Sequence, residues 1–170
     1  MNLFQRLFAT SRDPREELRP LWARIVAIAR EPEWYCDCGV ADTLEGRFDM
    51  VSTVLAITLL RMERTPDLAA RTAPLTEIFV EEMDGQLRQT GVGDLMVGKQ
   101  IGKLMATLGG RVGAYRAALA VGENELEQAV HRNITLSDPA RANAVAKRLQ
   151  ALATQLAESG DAALLKGEFA

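Results

Sequence analysis

The chain has 170 residues, of which 48% are hydrophobic and 25% are charged, and its formal net charge is −3. This length and composition are typical of one globular domain that buries a substantial core. General nucleic-acid binders are usually strongly basic, so the net charge argues against that class and no specific nucleic-acid binding is expected. Only six prolines are present, and this favours a helical fold.

The sequence offers no candidate for a membrane span or a secretory signal. No stretch is apolar for the eighteen or so residues that a transmembrane helix needs. The first nine residues lack the apolar core and the cleavage site of a secretory signal. We therefore expect a bacterial cytoplasmic protein.

Residues 1–12 are predicted to form a short amphipathic segment ahead of one helical domain over residues 13–170. The segment carries an apolar stripe of Leu3, Phe4, Leu7 and Phe8, and no acidic residue occurs before Asp13. Two roles for the stripe stay open at this point. It could make shallow contact with an anionic bilayer, or it could dock on the protein's own core.

Apolar residues recur every three or four positions along almost the whole chain, which predicts an all-α domain of six or seven helices. Capping boxes at Asp13–Glu16 and Asp42–Glu45 mark two of the helix starts. Pro20 either kinks the first helix or marks its true start. In chain order, we predict helices over residues 13–30, 42–64, 74–89 and 94–121, a short helix capped by Asn124, and a last helix over 138–158, with a loop over 32–41.

Two of these helices have unusual composition. The helix that ends near Arg64 is apolar on more than one face, which is typical of a buried central helix; alternatively, one face lines a groove for an apolar partner segment. The long helix over 94–121 contains five glycines, each about 1 kcal/mol less favourable than alanine. Close approach of a neighbouring helix, or a kink at Gly109–Gly110, would compensate for them.

The sequence contains little that could support catalysis or metal binding. Cys36 and Cys38 are too close in sequence for an unstrained disulfide, so we expect two free thiols in the predicted loop. His131 has no nucleophile pattern beside it, and one histidine with two cysteines is too few for a four-ligand zinc site. We expect no catalytic residues, no metal and no cofactor.

Three stretches of the sequence carry a family resemblance: Asp42–Asp49, Met83–Lys99 and Gly109–Tyr115. In this order they resemble the ubiquinol–cytochrome c chaperone family, over about Trp34 to Leu119. The resemblance implies a non-enzymatic assembly factor of respiratory complex III that binds newly made cytochrome b. It also implies a location near the ribosome or at the inner face of the cytoplasmic membrane, which is the matrix side in mitochondria.

Candidate client-binding residues come from the first two of these stretches, together with Lys103, which lies four residues after the second. They are Arg47, Phe48, Met83, Asp84, Leu87, Arg88, Gly91, Val92, Gly93, Asp94, Val97, Lys99 and Lys103. The charged members, together with Arg111 and Arg116, either meet a partner or form a solvated rim. Arg47 lies near a helix start, where the helix dipole disfavours a cation, so we expect it to have a specific carboxylate partner and suggest Asp94.

A different class of function also stays open. An all-α enzyme or carrier could bind an apolar isoprenoid or a haem-type ligand in a helical pocket. An isoprenoid enzyme would need acidic residues clustered at metal-binding spacing, and the sequence has no such cluster.

The stretch from Gly93 to Lys99 nearly matches a phosphate-binding P-loop, but we predict that neither ATP nor GTP binds. Gln100 stands where a P-loop has the Ser or Thr that binds magnesium, and the residues before Gly93 are predicted to be helix instead of strand. Calorimetric titration with magnesium nucleotide should therefore give no heat of binding. Micromolar binding that is lost in Lys99→Ala would contradict this prediction.

Overall fold

The computed structural model describes residues 13–89 and 94–169, with side chains at all of these positions except 87 and 94–97. These ranges contain no β-strand, only an isolated bridge between Val40 and Leu136. In chain order the helices are α1 (Arg19–Ala29), α2 (Pro32–Cys36), α3 (Leu44–Met62), α4 (Pro66–Ala69), α5 (Thr72–Gln89), α6 (Asp94–Val121), α7 (Glu123–Asn133), α8 (Ala142–Glu158) and α9 (Asp161–Leu165). The all-α prediction is confirmed, with six helices of eleven residues or more and three short ones among the described residues.

The predicted capping boxes are wrong in detail. A 3₁₀ turn over Glu16–Leu18 precedes α1, and Pro20 lies in the first turn of that helix, so it marks the true start. The Asp13 carboxylate accepts a hydrogen bond from the Arg15 backbone N–H instead of capping a helix. Helix α3 is capped by Thr43, one residue after the predicted Asp42, because the Thr43 hydroxyl accepts a hydrogen bond from the Gly46 N–H at 3.1 Å.

Residues 32–36 form helix α2 where a loop was predicted. Proline often ends a helix, but it is equally suited to the first helical position, which Pro32 occupies here. The Trp34 indole N–H donates to the Ile28 carbonyl, and the Tyr35 hydroxyl donates to the Ala29 carbonyl, both at 2.7 Å. These bonds satisfy carbonyl groups at the end of α1, which would otherwise lack partners inside the helix.

Helix α3 lies at the centre of the fold. Every residue from 49 to 59 is buried, and the helix packs against α1, α6 and α8. The prediction of a central helix is therefore confirmed. Such a helix has no solvent-facing stripe over this length, which explains why its apolar residues follow no single face.

A buried ion pair joins α3 to α6. The Arg111 guanidinium donates to the Asp49 carboxylate and to the Ser52 hydroxyl, and also to the Asn133 carbonyl at 2.7 Å. The same Asp49 carboxylate accepts from the Thr135 N–H at 2.9 Å and the Thr135 hydroxyl at 2.7 Å. Arg111 is only 5% exposed. The expectation that Arg111 belongs to a surface set of charges is therefore wrong.

Two further polar contacts fix α3 against its neighbours. The Thr53 and Tyr115 hydroxyls lie 3.1 Å apart, and burial raises the pKa of Tyr115 to about 12. Near the other end of α3, Arg61 donates to the carbonyls of Leu156 and Ser159, both at 2.8 Å, and pairs with Asp161 at 2.6 Å. Arg61 thereby caps the carboxyl end of α8.

The glycines of α6 do not serve close helix packing within this chain. Among the described residues, a Cβ atom built at Gly98, Gly102, Gly109, Gly110 or Gly113 would meet no atom within 4 Å. The predicted close approach at these positions is therefore wrong. Gly46 in α3 is the opposite case, because a Cβ atom there would lie 2.0 Å from the Ala41 carbonyl oxygen.

These two environments predict opposite effects of the same substitution. Gly46→Ala should lower the free energy of unfolding by about 1–3 kcal/mol, because the added methyl group overlaps a backbone oxygen. Gly102→Ala should raise it by about 0.5–1 kcal/mol, because alanine favours the helix and meets no neighbour. Urea unfolding followed by circular dichroism measures both. A neutral Gly46→Ala variant would contradict the packing described for α3.

The buried ion pair predicts a second stability effect. Arg111→Met should lower the free energy of unfolding by about 3 kcal/mol or more, because Asp49 stays buried without its guanidinium partner. Arg116→Met is the matched control, because Arg116 lies on the same helix but pairs with the exposed Glu63. This variant should lower the free energy of unfolding by no more than about 0.5 kcal/mol. Urea unfolding measures both variants. An equal decrease in the free energy of unfolding would contradict the prediction, because the buried ion pair would then stabilise the fold no more than the exposed one.

Candidate functional site

A first cleft, here called the basic cleft, opens between α2, the start of α3 and α5. Its volume is about 560 Å³. Its charged lining consists of two guanidinium groups, from Arg30 and Arg47, and one carboxylate, from Asp42. The remaining lining is mostly apolar or weakly polar: Pro32, Tyr35, Cys36, Leu44, Phe48, Val51, Met83 and Gln86.

Arg47 and Asp42 form an ion pair at the edge of the basic cleft. The Arg47 Nε donates to the Asp42 carboxylate at 2.6 Å, and this hydrogen bond lowers the pKa of Asp42 and raises that of Arg47. The expectation of a specific carboxylate partner for Arg47 is confirmed, and that partner is Asp42. The side chain of Asp94, the partner suggested from the sequence, lies outside the described side chains. Both side chains are more than half exposed, so the pair can exchange partners at little cost.

The apolar part of the basic cleft combines fixed and exposed groups. Phe48 is half-buried, with its ring centroid 6.2 Å from that of Phe79. Tyr35 is held by its bond to the Ala29 carbonyl, and burial raises its pKa. Leu44 is 78% exposed at the first position of α3. This surface can bury apolar groups of a partner while the arginines beside it contact polar or acidic groups.

The two cysteines differ in their access to the basic cleft. Both are free thiols, as expected from the sequence. Cys36 is exposed and lines the cleft, at the end of α2. Cys38 is buried, and burial raises the pKa of its thiol.

A second cleft, here called the acidic cleft, lies between α5 and α6 with α3 below. Its volume is about 800 Å³. Four carboxylates and one guanidinium line it, from Glu63, Glu77, Glu81, Asp84 and Arg15. Its apolar lining consists of Leu59, Ala73, Val80, Ile101, Met105 and Val112, joined by the hydroxyl-bearing Thr72 and Thr76.

Several arginines contact the carboxylates of the acidic cleft. Glu81 lies 3.2 Å from Arg19 and 3.6 Å from Arg15. Glu63 pairs with Arg116 at 2.6 Å, and Asp84 pairs with Arg88 at 2.8 Å. Glu77 forms no ion pair within the part of the chain that the structure describes.

The structure distributes the candidate residues over three places. Arg47, Phe48 and Met83 line the basic cleft, whereas Asp84 lines the acidic cleft, so adjacent residues of α5 serve different clefts. Arg88, Lys99 and Lys103 are exposed near the junction of α5 and α6. For Leu87, Asp94 and Val97 the structure describes the helical backbone but not the side chains, and Gly91, Val92 and Gly93 lie outside the described residues.

Two cleft residues were not among the candidates. Large apolar side chains are exposed at only three of the described positions: Leu44, Met105 and Val121. The first lines the basic cleft and the second the acidic cleft. No sequence signal singles out Leu44, because the sequence places the N-cap at Asp42 and the structure places it at Thr43. Met105 follows the apolar spacing of α6, which predicts a buried side chain, but it is 39% exposed.

The described residues lack the features of two other classes of site. They contain no group of three or more His, Cys, Asp or Glu side chains placed to hold a metal ion. Within the same residues, each helix is too short or too polar to span a bilayer.

Comparisons with known proteins identify the family. A model of the family described as ubiquinol–cytochrome C chaperone matches residues 36–170. The match continues past Leu119, where the resemblance seen in the sequence ends. The chain is also similar to a solved structure, described as the crystal structure of the Cbp3 homolog from Brucella abortus. That match has 32% identity and a TM-score of 0.81, and covers 98% of this chain and 94% of the other. A comparison with curated proteins gives no match. The chain belongs to the ubiquinol–cytochrome c chaperone family.

Proposed function

We propose that this chain is a non-enzymatic assembly chaperone that binds newly synthesised cytochrome b and promotes assembly of the ubiquinol–cytochrome c reductase complex. Family membership supports the chaperone role. The observation that carries the client-binding part is the basic cleft, where two of the family-like stretches meet: Arg47 and Phe48 come from the first and Met83 from the second.

The chemistry of the basic cleft suits a membrane-protein client. A newly made membrane protein exposes apolar segments to water, and covering them stabilises a complex by about 25 cal/mol per Å² of buried apolar surface. Exposed Leu44 and half-buried Phe48 and Met83 offer such surface. Arg30 and Arg47 would meet acidic or polar groups that flank the client's apolar segment, and so set its orientation.

The alternative from the sequence, an enzyme or carrier for an isoprenoid or haem-type ligand, gains no specific support from the geometry. Both clefts open to solvent along a helix surface and are lined by exposed ionic groups. Such clefts resemble docking surfaces for polypeptides more than the closed apolar pockets that bury most of a small ligand. Family membership favours the chaperone role as well.

Deletion of the gene from its native host tests the proposed function as a whole. We expect the amount of assembled ubiquinol–cytochrome c reductase to fall while the other respiratory complexes stay nearly unchanged, as measured by native electrophoresis of membranes. In the parent host, which still makes the protein, isolation of the full chain from membranes should recover cytochrome b. A normal level of the reductase complex after deletion would overturn the proposal.

Paired substitutions test the position of the client surface. Leu44→Asp combined with Arg47→Glu should strongly reduce the yield of co-isolated cytochrome b and change thermal unfolding little, because both side chains are exposed. The matched control is Val121→Asp combined with Arg132→Glu. These side chains are also exposed, but they line neither cleft.

The charged residues near the α5–α6 junction form the second candidate client surface. Charge reversal of both Arg88 and Lys99 to glutamate should likewise weaken retention of cytochrome b if the client extends from the basic cleft along α5. A folded double variant that retains cytochrome b normally would limit the client surface to the basic cleft. Normal retention in both paired variants would exclude both surfaces.

A further inference from the structure

We propose that the acidic cleft binds the chain's own amino-terminal segment, residues 1–12. This proposal goes beyond the proposed function and does not depend on it, because it concerns a contact within the chaperone and involves no client. It commits to one of the two roles that the sequence leaves open for the apolar stripe, namely docking on the protein's own core.

The first described residues place the attachment point of this segment at the acidic cleft. Arg15 lines the cleft and lies 3.6 Å from Glu81. The Asp13 carboxylate accepts hydrogen bonds from the Arg15 backbone N–H at 3.0 Å and from its guanidinium at 2.6 Å. Asp13 is therefore held against a residue of the cleft wall.

The segment and the cleft match in length. The α5 wall of the cleft runs from Thr72 to Asp84, which corresponds to a rise of about 18 Å along a helix axis. Twelve residues in helical conformation also span about 18 Å. A helix formed by residues 1–12 would extend along the whole wall.

The apolar faces are complementary. The segment offers Leu3, Phe4, Leu7 and Phe8, spaced to share one side of a helix. Between α5 and α6 the cleft offers Val80, Ile101, Met105 and Val112, with Leu59 below. An amphipathic helix that lays its apolar face in a groove between two helices is a recurring mode of peptide recognition. Docking there would cover Met105, which is otherwise 39% exposed.

Charge selects the acidic cleft over the basic one. Residues 1–12 contain two arginines, Arg6 and Arg12, and no acidic residue. Four carboxylates and the Arg15 guanidinium line the acidic cleft. Glu63, Glu81 and Asp84 already pair with arginines. Glu77 interacts electrostatically with Arg15 but forms no ion pair with any described residue, so its carboxylate is the one most open to a cation of the segment. In the basic cleft the same arginines would face Arg30 and Arg47, and like charges disfavour that contact.

Photo-crosslinking of the purified full chain tests the proposal. Phe8 is replaced by the photoreactive analogue p-benzoylphenylalanine, which keeps an aromatic side chain at that position. Irradiation should give crosslinks within one chain, and mass spectrometry should map them to residues of α5 and α6 that line the acidic cleft. The measurement contains no cytochrome b, so failure of this proposal and failure of the proposed function are separate results.

Matched variants locate the contact. Met105→Lys places a cation in the acidic cleft and should lower the crosslink yield about tenfold, which corresponds to about 1.4 kcal/mol of docking free energy. Val121→Lys is the control, because Val121 is also exposed but lies outside both clefts. If Met105→Lys disturbs folding, Ala73→Lys on the exposed α5 wall replaces it. On the segment side, Phe4→Asp should lower the yield, whereas Gln5→Asp, outside the stripe, should lower it less.

Four results would overturn the proposal. They are a folded chain that gives no crosslink, crosslinks mapped to the basic cleft, crosslinks only between two copies of the chain, and crosslinks that appear only to lipid when phosphatidylglycerol vesicles are present. The last result would support the bilayer role of the stripe instead. A crosslink yield that falls equally in Met105→Lys and Val121→Lys would also count against the acidic cleft.

Discussion

The packing of the helices in this protein depends on the hydrogen bonds of the buried Asp49 carboxylate. It lies on the central helix α3 and binds Arg111 of α6 and Thr135 of the α7–α8 connection. Removing either partner would leave a buried charge or a buried donor unpaired, which costs more than an exposed contact can. The same connection bonds to the segment before α3, where the Ala41 N–H donates to the Thr135 carbonyl at 2.9 Å. One carboxylate thereby sets how α3, α6 and the α7–α8 connection meet.

This fixed centre explains how α5 can have a cleft on each side. Helix α3 contributes Phe48 and Val51 to the basic cleft and Leu59 to the acidic cleft, and α5 separates the two. Helix α3 is fixed by Arg111 near one end and by its own Arg61 near the other. Because α3 lines both clefts, these contacts also fix the positions of the two clefts relative to each other. The two clefts differ in the charge of their lining, and we propose that they therefore bind different segments: a client segment in the basic cleft and the amino-terminal segment in the acidic cleft.

Family membership and the helical fold could be predicted because both depend on local sequence. Apolar spacing gave helices α5 and α6 nearly their observed bounds, and the three family-like stretches were recognisable without a structure. The predicted N-cap of α3 was wrong by one residue, because Asp42 and Thr43 are both suitable N-cap residues. Thr43 caps the helix, whereas the Asp42 carboxylate accepts a hydrogen bond from Arg47. Helix α2 was missed because Pro32 can end one helix or begin another. Of the candidate site, three residues share the basic cleft, while Asp84 lines the other side of α5.

The sequence by itself determined the class of fold and the family, and it favoured a central position for the apolar helix α3. Composition, motif order and hydrophobic periodicity can each be read from one stretch of chain at a time. Only the tertiary structure decided that Arg111 is a buried anchor and Arg47 a surface group, although both are arginines in family-like stretches. It also decided that the glycines of α6 face open space while Gly46 touches a backbone oxygen. Burial and contact depend on which distant residues come together, here residues 49, 111 and 135, and no local pattern records that pairing.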